Sequence, residues 1–130
     1  MGELTGFNFK NVADLPLFEN ALVGFVPRHL SSADSLLQGV ADALLFPAYF
    51  GRNWNALYDC LRDFHWTEKK EVLLVHSDLP QLAEAELKTY LEVLRDAAAD
   101  WKPGESHAFG VIFDKSDEHS VLSVLNIGTA

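Results

Sequence analysis

The feature that most constrains the fold is a run of four consecutive apolar residues, Val72 to Val75, with charged or polar residues on both sides. The run is too short for a helix, and its two valines are β-branched, which favours an extended strand. Since apolar and polar residues do not alternate, both faces of this strand should be buried, as in parallel sheets covered by helices. The run therefore predicts a strand inside an α/β domain.

Two further apolar segments, Leu22 to Val26 and Phe109 to Phe113, predict buried strands. Segments with a helical spacing of apolar residues lie between the strands. Strands and helices in this order, joined by right-handed crossovers, predict a small three-stranded parallel β-sheet flanked by helices. We expect the strand at Val72 to Val75 to lie parallel to the one at Phe109 to Phe113.

Three helices are expected, and each has a polar residue that can accept a hydrogen bond from the first turn. The third helix is long and should have Pro80 in its first turn and end at Pro103-Gly104. The expected caps are Ser31 or Ser32, Asn53, and Ser77 or Asp78.

The two ends of the chain can add edge strands to this sheet. Phe7 and Phe9 alternate with polar residues, which predicts a short strand, and residues 12–21 could form a brief helix broken at Pro16. After a turn at residues 115–118, Val121 to Ile127 should return as an antiparallel edge strand. We therefore expect one domain over residues 1–130, with an N-terminal extension (1–21) and a C-terminal extension (115–130).

The composition is that of a folded protein, with 48% hydrophobic residues among 130. No apolar run approaches the ~20 residues that span a bilayer, and residues 1–10 lack the basic and apolar regions of a secretory signal. The single cysteine, Cys60, cannot form an internal disulfide, which suits a reducing compartment. We expect a cytoplasmic monomer that does not bind membranes.

The charge of the chain bears on its partners. With 19 acidic and 10 basic residues, the formal net charge is −9. This charge opposes binding to a phosphate backbone and favours a basic partner. Lys69 and Lys70 form a lone basic pair flanked by glutamates, so direct binding of nucleic acid is not expected.

No motif indicates a metal, a cofactor or a phosphate-binding loop. The histidines are scattered singly, without HExxH or CxxC spacing, and no GxGxxG or GxxxxGK[ST] motif occurs. A small hydrolase could be built from Cys60 and His65. However, a thiol on the apolar face of a helix is usually a packing residue, and His65 points well away from it in helical register.

The segment from Phe46 to Trp66 combines a loop, a helix and an unusual exposed face. Helical spacing places an apolar stripe on one side, which should pack on the sheet. Exposed tyrosines beside polar residues on a rigid helix indicate a surface for protein recognition. The stripe comprises Trp54, Leu57, Leu61 and Phe64, and the outward face comprises Asn55, Tyr58, Asp59 and Arg62, with Tyr49 and Phe50 in the preceding loop.

The run YFGRNWNALYDCL in this segment resembles the binding segment of the barstar family, the intracellular inhibitors of secreted bacterial ribonucleases. The resemblance extends in weaker form from about Leu30 to about Phe113. It implies a non-enzymatic inhibitor that binds a basic ribonuclease without a cofactor. The residues that it implies as partner contacts are Tyr49, Asn55, Tyr58, Asp59, Arg62, Phe64 and Asp96.

The chain departs from the family pattern within this set. Tyr58 and Phe64 stand where the family has tryptophan, Arg62 replaces a threonine, and Asn55 replaces an aspartate. Losing one acid and gaining one base reduces complementarity to a basic site. Phe64 is also ambiguous, because its spacing predicts a core residue whereas the resemblance implies a contact.

The leading hypothesis is an inhibitor that occludes a ribonuclease active site, presenting carboxylates where the enzyme binds substrate phosphates. The carboxylates on predicted helix surfaces are Asp59, Asp63, Asp96 and Asp100. The alternative is a cytosolic protein-binding or immunity module with a non-ribonuclease partner. The small hydrolase is a third hypothesis.

Overall fold

The computed structural model describes residues 6–126 of the chain. Four strands form a single sheet in the order β1-β4-β3-β2, and every pairing is parallel. Short 3-10 turns follow β1 and β4, at Val12–Asp14 and Lys115–Asp117. The strands and helices are β1 (Phe7–Lys10), β2 (Ala21–Val26), α1 (Ala33–Ala43), α2 (Trp54–Leu61), β3 (Glu71–His76), α3 (Glu84–Asp100), β4 (Ala108–Asp114) and α4 (Glu118–Val124).

The four-residue apolar run lies at the centre of β3, between β2 and β4, and all four side chains are buried. Val72 is paired with Leu22 on one side and with Phe109 on the other. The predicted α/β class and the parallel pairing of these strands are therefore confirmed. The sheet has four strands rather than three, because the alternating Phe7–Lys10 segment pairs with β4 at the edge.

The two faces of the sheet are covered differently. The core residues of all four helices pack with alternate strand residues, including Val72, Leu74 and Phe113, on one face. The other face has a smaller cluster of Leu73, Val75 and Ile112. It is covered by the segment between β1 and β2, through Val12, Leu15 and Phe18. All four helices thus lie on the same face of the sheet.

The prediction that α3 begins at Ser77 or Asp78 is wrong, since the helix begins at Glu84. The Asp78 carboxylate accepts a hydrogen bond from the backbone N–H of His29 at 3.0 Å instead of capping a helix. The backbone N–H of Gln81 donates to the carbonyl of Leu30 at 2.8 Å. These bonds hold residues 77–83 against the loop that follows β2. The helix also ends at Asp100, before the predicted Pro103-Gly104.

The predicted antiparallel strand from Val121 to Ile127 is also wrong. The segment instead belongs to α4 (Glu118–Val124), whose C-cap is Leu125. Val121 and Leu125 lie one helical turn apart, and both are buried. Ile127 lies outside the described residues. The predicted helix at residues 12–21 is reduced to the 3-10 turn at Val12–Asp14. No helix within residues 6–126 has both the length and the apolar character needed to cross a membrane.

Candidate functional site

The helix α2 begins where the sequence predicts. The side-chain oxygen of Asn53 accepts a hydrogen bond from the backbone N–H of Ala56 at 2.8 Å, so Asn53 is the N-cap. The inner face of α2 buries Leu57, Cys60 and Leu61 against the core. An eight-residue helix is marginal alone, so this packing determines its orientation.

The loop before α2 is fixed by aromatic contacts. The ring of Phe46 packs edge-on against Phe50 and Trp66, with centroids 5.0 and 5.6 Å apart. The indole N–H of Trp66 donates to the carbonyl of Leu44 at 3.0 Å. Tyr49, between these anchors, is 65% exposed. The loop thus presents an aromatic side chain to solvent from a well-packed base.

The outward face of α2 is only partly free. Asn55 and Asp59 are exposed, and neither side chain has a hydrogen bond or ion pair within residues 6–126. Tyr58 is half-buried and donates a hydrogen bond to the carboxylate of Asp100 on α3. That bond, followed by partial desolvation, raises the pKa of the Tyr58 hydroxyl. Tyr58 therefore joins α2 to α3 as well as contributing surface.

The Arg62 side chain is less exposed to solvent than its position in the helical pattern predicts. Its guanidinium carbon lies 4.2 Å from the centroid of the Trp101 ring, and Nη2 is 3.7 Å from a Glu105 carboxylate oxygen. The side chain is 25% exposed, and its buried Nη1 has no hydrogen-bond partner among the described residues. The guanidinium is held against the α3 end rather than extended into solvent.

Phe64 is a core residue, so the contact role that the resemblance implies for it does not fit the structure. Its side chain has no exposed surface and stacks on Trp101 with ring centroids 6.0 Å apart. It also packs against Phe109 at 5.8 Å. A partner cannot reach this ring without opening the core. The helical spacing predicted its burial correctly.

Asp96 is exposed on α3, which packs against α2. Its carboxylate lies 3.2 Å from Nε of the adjacent Arg95. Asp96 precedes Asp100 by one helical turn, and Asp100 accepts the hydrogen bond from Tyr58. Asp96 is therefore placed one turn from the contact between the two helices.

Two neighbours of the site are Asp63, which the sequence named only among the carboxylates on predicted helix surfaces, and His65, which it did not name as a contact. The Nδ1 atom of His65 lies 3.0 Å from the Asp63 carboxylate, and the His65 ring is parallel to that of Tyr49, with centroids 6.4 Å apart. Partial desolvation, and then the charge of Asp63, raises the pKa of the Tyr49 hydroxyl. Sequence spacing missed this cluster because a continued helix would separate these side chains, whereas α2 ends at Leu61.

The buried thiol of Cys60 is not set up as a nucleophile. It is 4% exposed, and burial, with the nearby charges of Asp63 and Asp59, raises its pKa to about 11. The thiol is therefore protonated at neutral pH, whereas catalysis requires the thiolate. Within residues 6–126, no group of three or more His, Cys, Asp or Glu side chains is arranged to hold a metal ion.

Comparison with known proteins bears on the family of the chain as a whole. No curated protein matches the chain. A family model described as Barstar (barnase inhibitor) matches residues 22–114, which is well over half of the 130 residues. The matched range runs from β2 to the end of β4 and contains α2, its preceding loop and α3. The chain therefore belongs to the barstar family.

Proposed function

We propose that this protein inhibits a basic, barnase-like ribonuclease by covering its active site with the recognition surface, which we define as Tyr49, Asn55, Tyr58, Asp59 and Asp96. The main support for the proposal is that the Asp59 side chain is exposed and unpaired among the described residues. Its carboxylate is exposed on a helix fixed by the core and has no hydrogen-bond or ion-pair partner within residues 6–126.

A carboxylate in this state keeps its full capacity to accept charge-assisted hydrogen bonds. A ribonuclease binds substrate phosphates with arginine or lysine side chains, and a carboxylate can pair with the same groups. Tyr58, one residue earlier, is held by its bond to Asp100 and can exclude water from the pair. The surface is therefore suited to competitive occlusion without a chemical step.

The test is Asp59→Ala, with inhibition of barnase as the assay. We expect the variant to bind at least about 2 kcal/mol more weakly, since central charged contacts dominate such interfaces. Its unfolding free energy should change by less than ~0.5 kcal/mol, because the side chain is exposed and makes no internal bond. Titration of ribonuclease activity and thermal unfolding measure the two quantities.

Glu86→Ala is the matched control. Glu86 is exposed on α3, ten residues before Asp96, which at the helical rise is ~15 Å away. This variant should inhibit like the wild type. Unchanged inhibition by Asp59→Ala would reject the site, and a large loss of thermal stability would show that Asp59 is structural.

Arg62 favours the alternative of a non-ribonuclease partner. It places a cation beside the acidic residues, where a strongly basic site would be repelled. Its charge is offset by Glu105 at 3.7 Å and its face is stacked on Trp101, so it projects little into the surface. We therefore keep the ribonuclease as the proposed partner. A cytoplasmic, non-catalytic role accords with the one buried, protonated cysteine.

A further inference from the structure

A cleft of about 340 Å³ opens at the amino ends of β3 and β4, beside the C-terminal end of α3. This volume lies at the lower end of the range for small-molecule sites in proteins. Most of the lining residues are apolar, among them Ala98, Trp101, Pro103 and Phe109, and none belongs to the recognition surface. The cleft is therefore a separate site, with room for a ligand of about one aromatic ring system.

His107 is a buried polar side chain in the lining of this cleft, and it is 9% exposed. Its Nδ1 lies 2.8 Å from the carbonyl oxygen of Lys69. A carbonyl can only accept, so Nδ1 carries the proton and Nε2 of the neutral ring is an acceptor. Nε2 has no hydrogen-bond partner within residues 6–126, and, unlike Nη1 of Arg62, it is not fully enclosed by protein. Since buried acceptors are normally paired, Nε2 calls for an N–H or O–H donor in the cleft.

The orientation of the His107 ring is fixed by aromatic packing. The ring lies edge-on to Phe64 and Trp101, with centroids 5.9 and 5.8 Å apart. Trp101 is itself held, because its indole N–H donates to the carbonyl of Leu61 at 2.8 Å. A ligand would therefore meet a preformed wall, and little side-chain entropy would be lost on binding.

The charged side chains of the cleft favour a ligand with one negative charge. Lys70 and Lys102 are exposed in the lining, and Nζ of Lys102 gives only one of its three donors to the carbonyl of Ala99, at 3.0 Å. The carboxylate of Glu105 also lines the cleft. It accepts a hydrogen bond from the backbone N–H of Lys102 at 2.6 Å and lies 3.7 Å from Nη2 of Arg62, so its charge is offset. The cleft is thus locally cationic on an acidic chain.

We propose that this cleft binds a small planar aromatic carboxylate that carries an N–H or O–H group. The ring packs on the apolar wall formed by Trp101 and its neighbours. The N–H or O–H donates to Nε2 of His107, and the carboxylate pairs with the ammonium group of Lys70 or Lys102. This activity is independent of the ribonuclease, since the two sites share no residue.

The test uses indole-3-acetate as the probe, because it combines a flat ring, an N–H and one carboxylate. We expect the full chain to bind it with a Kd of about 1 mM or tighter, measured by calorimetry. Amide signals of Gly104 and Ala108 and the ring signals of His107 should shift in NMR spectra. Two matched compounds each lack one contact: 1-methylindole-3-acetate has no N–H, and indole has no carboxylate. Each should bind at least about fivefold more weakly.

Substitutions in the cleft provide a second measurement. Lys70→Gln combined with Lys102→Gln removes both positive charges from exposed positions and should weaken binding by about tenfold. Lys115→Gln is the matched control, because Lys115 is exposed beyond the opposite end of β4, roughly 20 Å away along the strand. This variant should bind the probe like the wild type. The melting temperature of each variant shows whether it is folded, and the comparison of compounds needs no substitution.

Three outcomes would overturn the proposal. The first is no binding of indole-3-acetate at about 10 mM, ten times the expected Kd. The second is equal binding of all three compounds, which would indicate apolar contact without recognition of the N–H or the charge. The third is a set of NMR shifts that lies outside the cleft. Weaker binding of both matched compounds, with shifts confined to the cleft, would support it.

Discussion

At the scale of single residues, the core contains one titratable pair, His76 and Tyr90, both without exposed surface. Nδ1 of His76 lies 3.4 Å from the carbonyl oxygen of Ile112, and Nε2 lies 2.6 Å from the Tyr90 hydroxyl. Because a carbonyl can only accept, Nδ1 carries the proton and Tyr90 donates to Nε2. Burial lowers the pKa of His76 to about 4, and burial raises the pKa of Tyr90.

We predict acid-dependent loss of stability from His76. The unfolded chain binds a proton near the ordinary pKa of 6.5, whereas the folded protein does so only near 4. Between these values the unfolded state holds more protons, so stability falls as the pH is lowered through this window. The total loss is about 3 kcal/mol, at about 1.4 kcal/mol for each pH unit. Urea unfolding at several pH values between 7.5 and 4 measures it.

His76→Gln is the control for this titration. Glutamine can still bond to the Tyr90 hydroxyl but does not titrate, so the variant should have a shallower dependence of stability on pH. Its stability at neutral pH can differ, since only the slope is compared. Identical slopes for the two proteins would show that other groups cause the acid sensitivity.

At the scale of secondary-structure elements, the close approach of α1 to β2 depends on Gly24. A Cβ atom at this position would lie 2.5 Å from the carbonyl oxygen and 2.9 Å from the Cβ of Ala43, at the end of α1. Real Cβ contacts are not this short, so a larger residue must displace the helix. The glycine therefore sets the separation between this helix and the edge strand.

We predict that Gly24→Ala destabilises the protein by about 1–3 kcal/mol through overpacking. Chemical denaturation measures the change. Gly51→Ala is the matched control, because its Cβ would be no closer than 3.5 Å to any neighbouring atom. This control is judged on folding alone, since Gly51 lies in the loop before α2. Equal stability of the two variants would show that α1 shifts freely over the sheet.

At the scale of the whole molecule, the net charge of −9 acts on association. An acidic protein that binds a basic enzyme is steered toward it by long-range attraction. We predict that the association rate with barnase falls clearly as ionic strength rises to about 150 mM, where the screening length is about 8 Å. Stopped-flow binding at several salt concentrations provides the measurement, and a salt-insensitive association rate would contradict steering.

Much of the local structure follows from the sequence by itself. Asn53 and Ser32 cap their helices because a short polar side chain precedes an apolar stripe, and both are local features. The Val72 to Val75 run predicted a buried parallel strand, because four consecutive apolar residues suit a strand that is covered on both faces. The family resemblance located the loop and α2, and Asp59 is exposed as spacing predicted.

Tertiary packing decided the structure of segments for which the local sequence pattern allows more than one conformation or role. The C-terminal apolar residues suit a strand or a helix, and burial of Val121 and Leu125 on one face accompanies the helix. For Phe64 the family resemblance implied a partner contact, whereas the spacing of apolar residues predicted a core residue. Its packing against Trp101 places it in the core. The turn at Phe64 brings Asp63 and His65 together at the surface. These outcomes depend on contacts between residues distant in sequence, whereas caps and strand runs depend on neighbours along the chain.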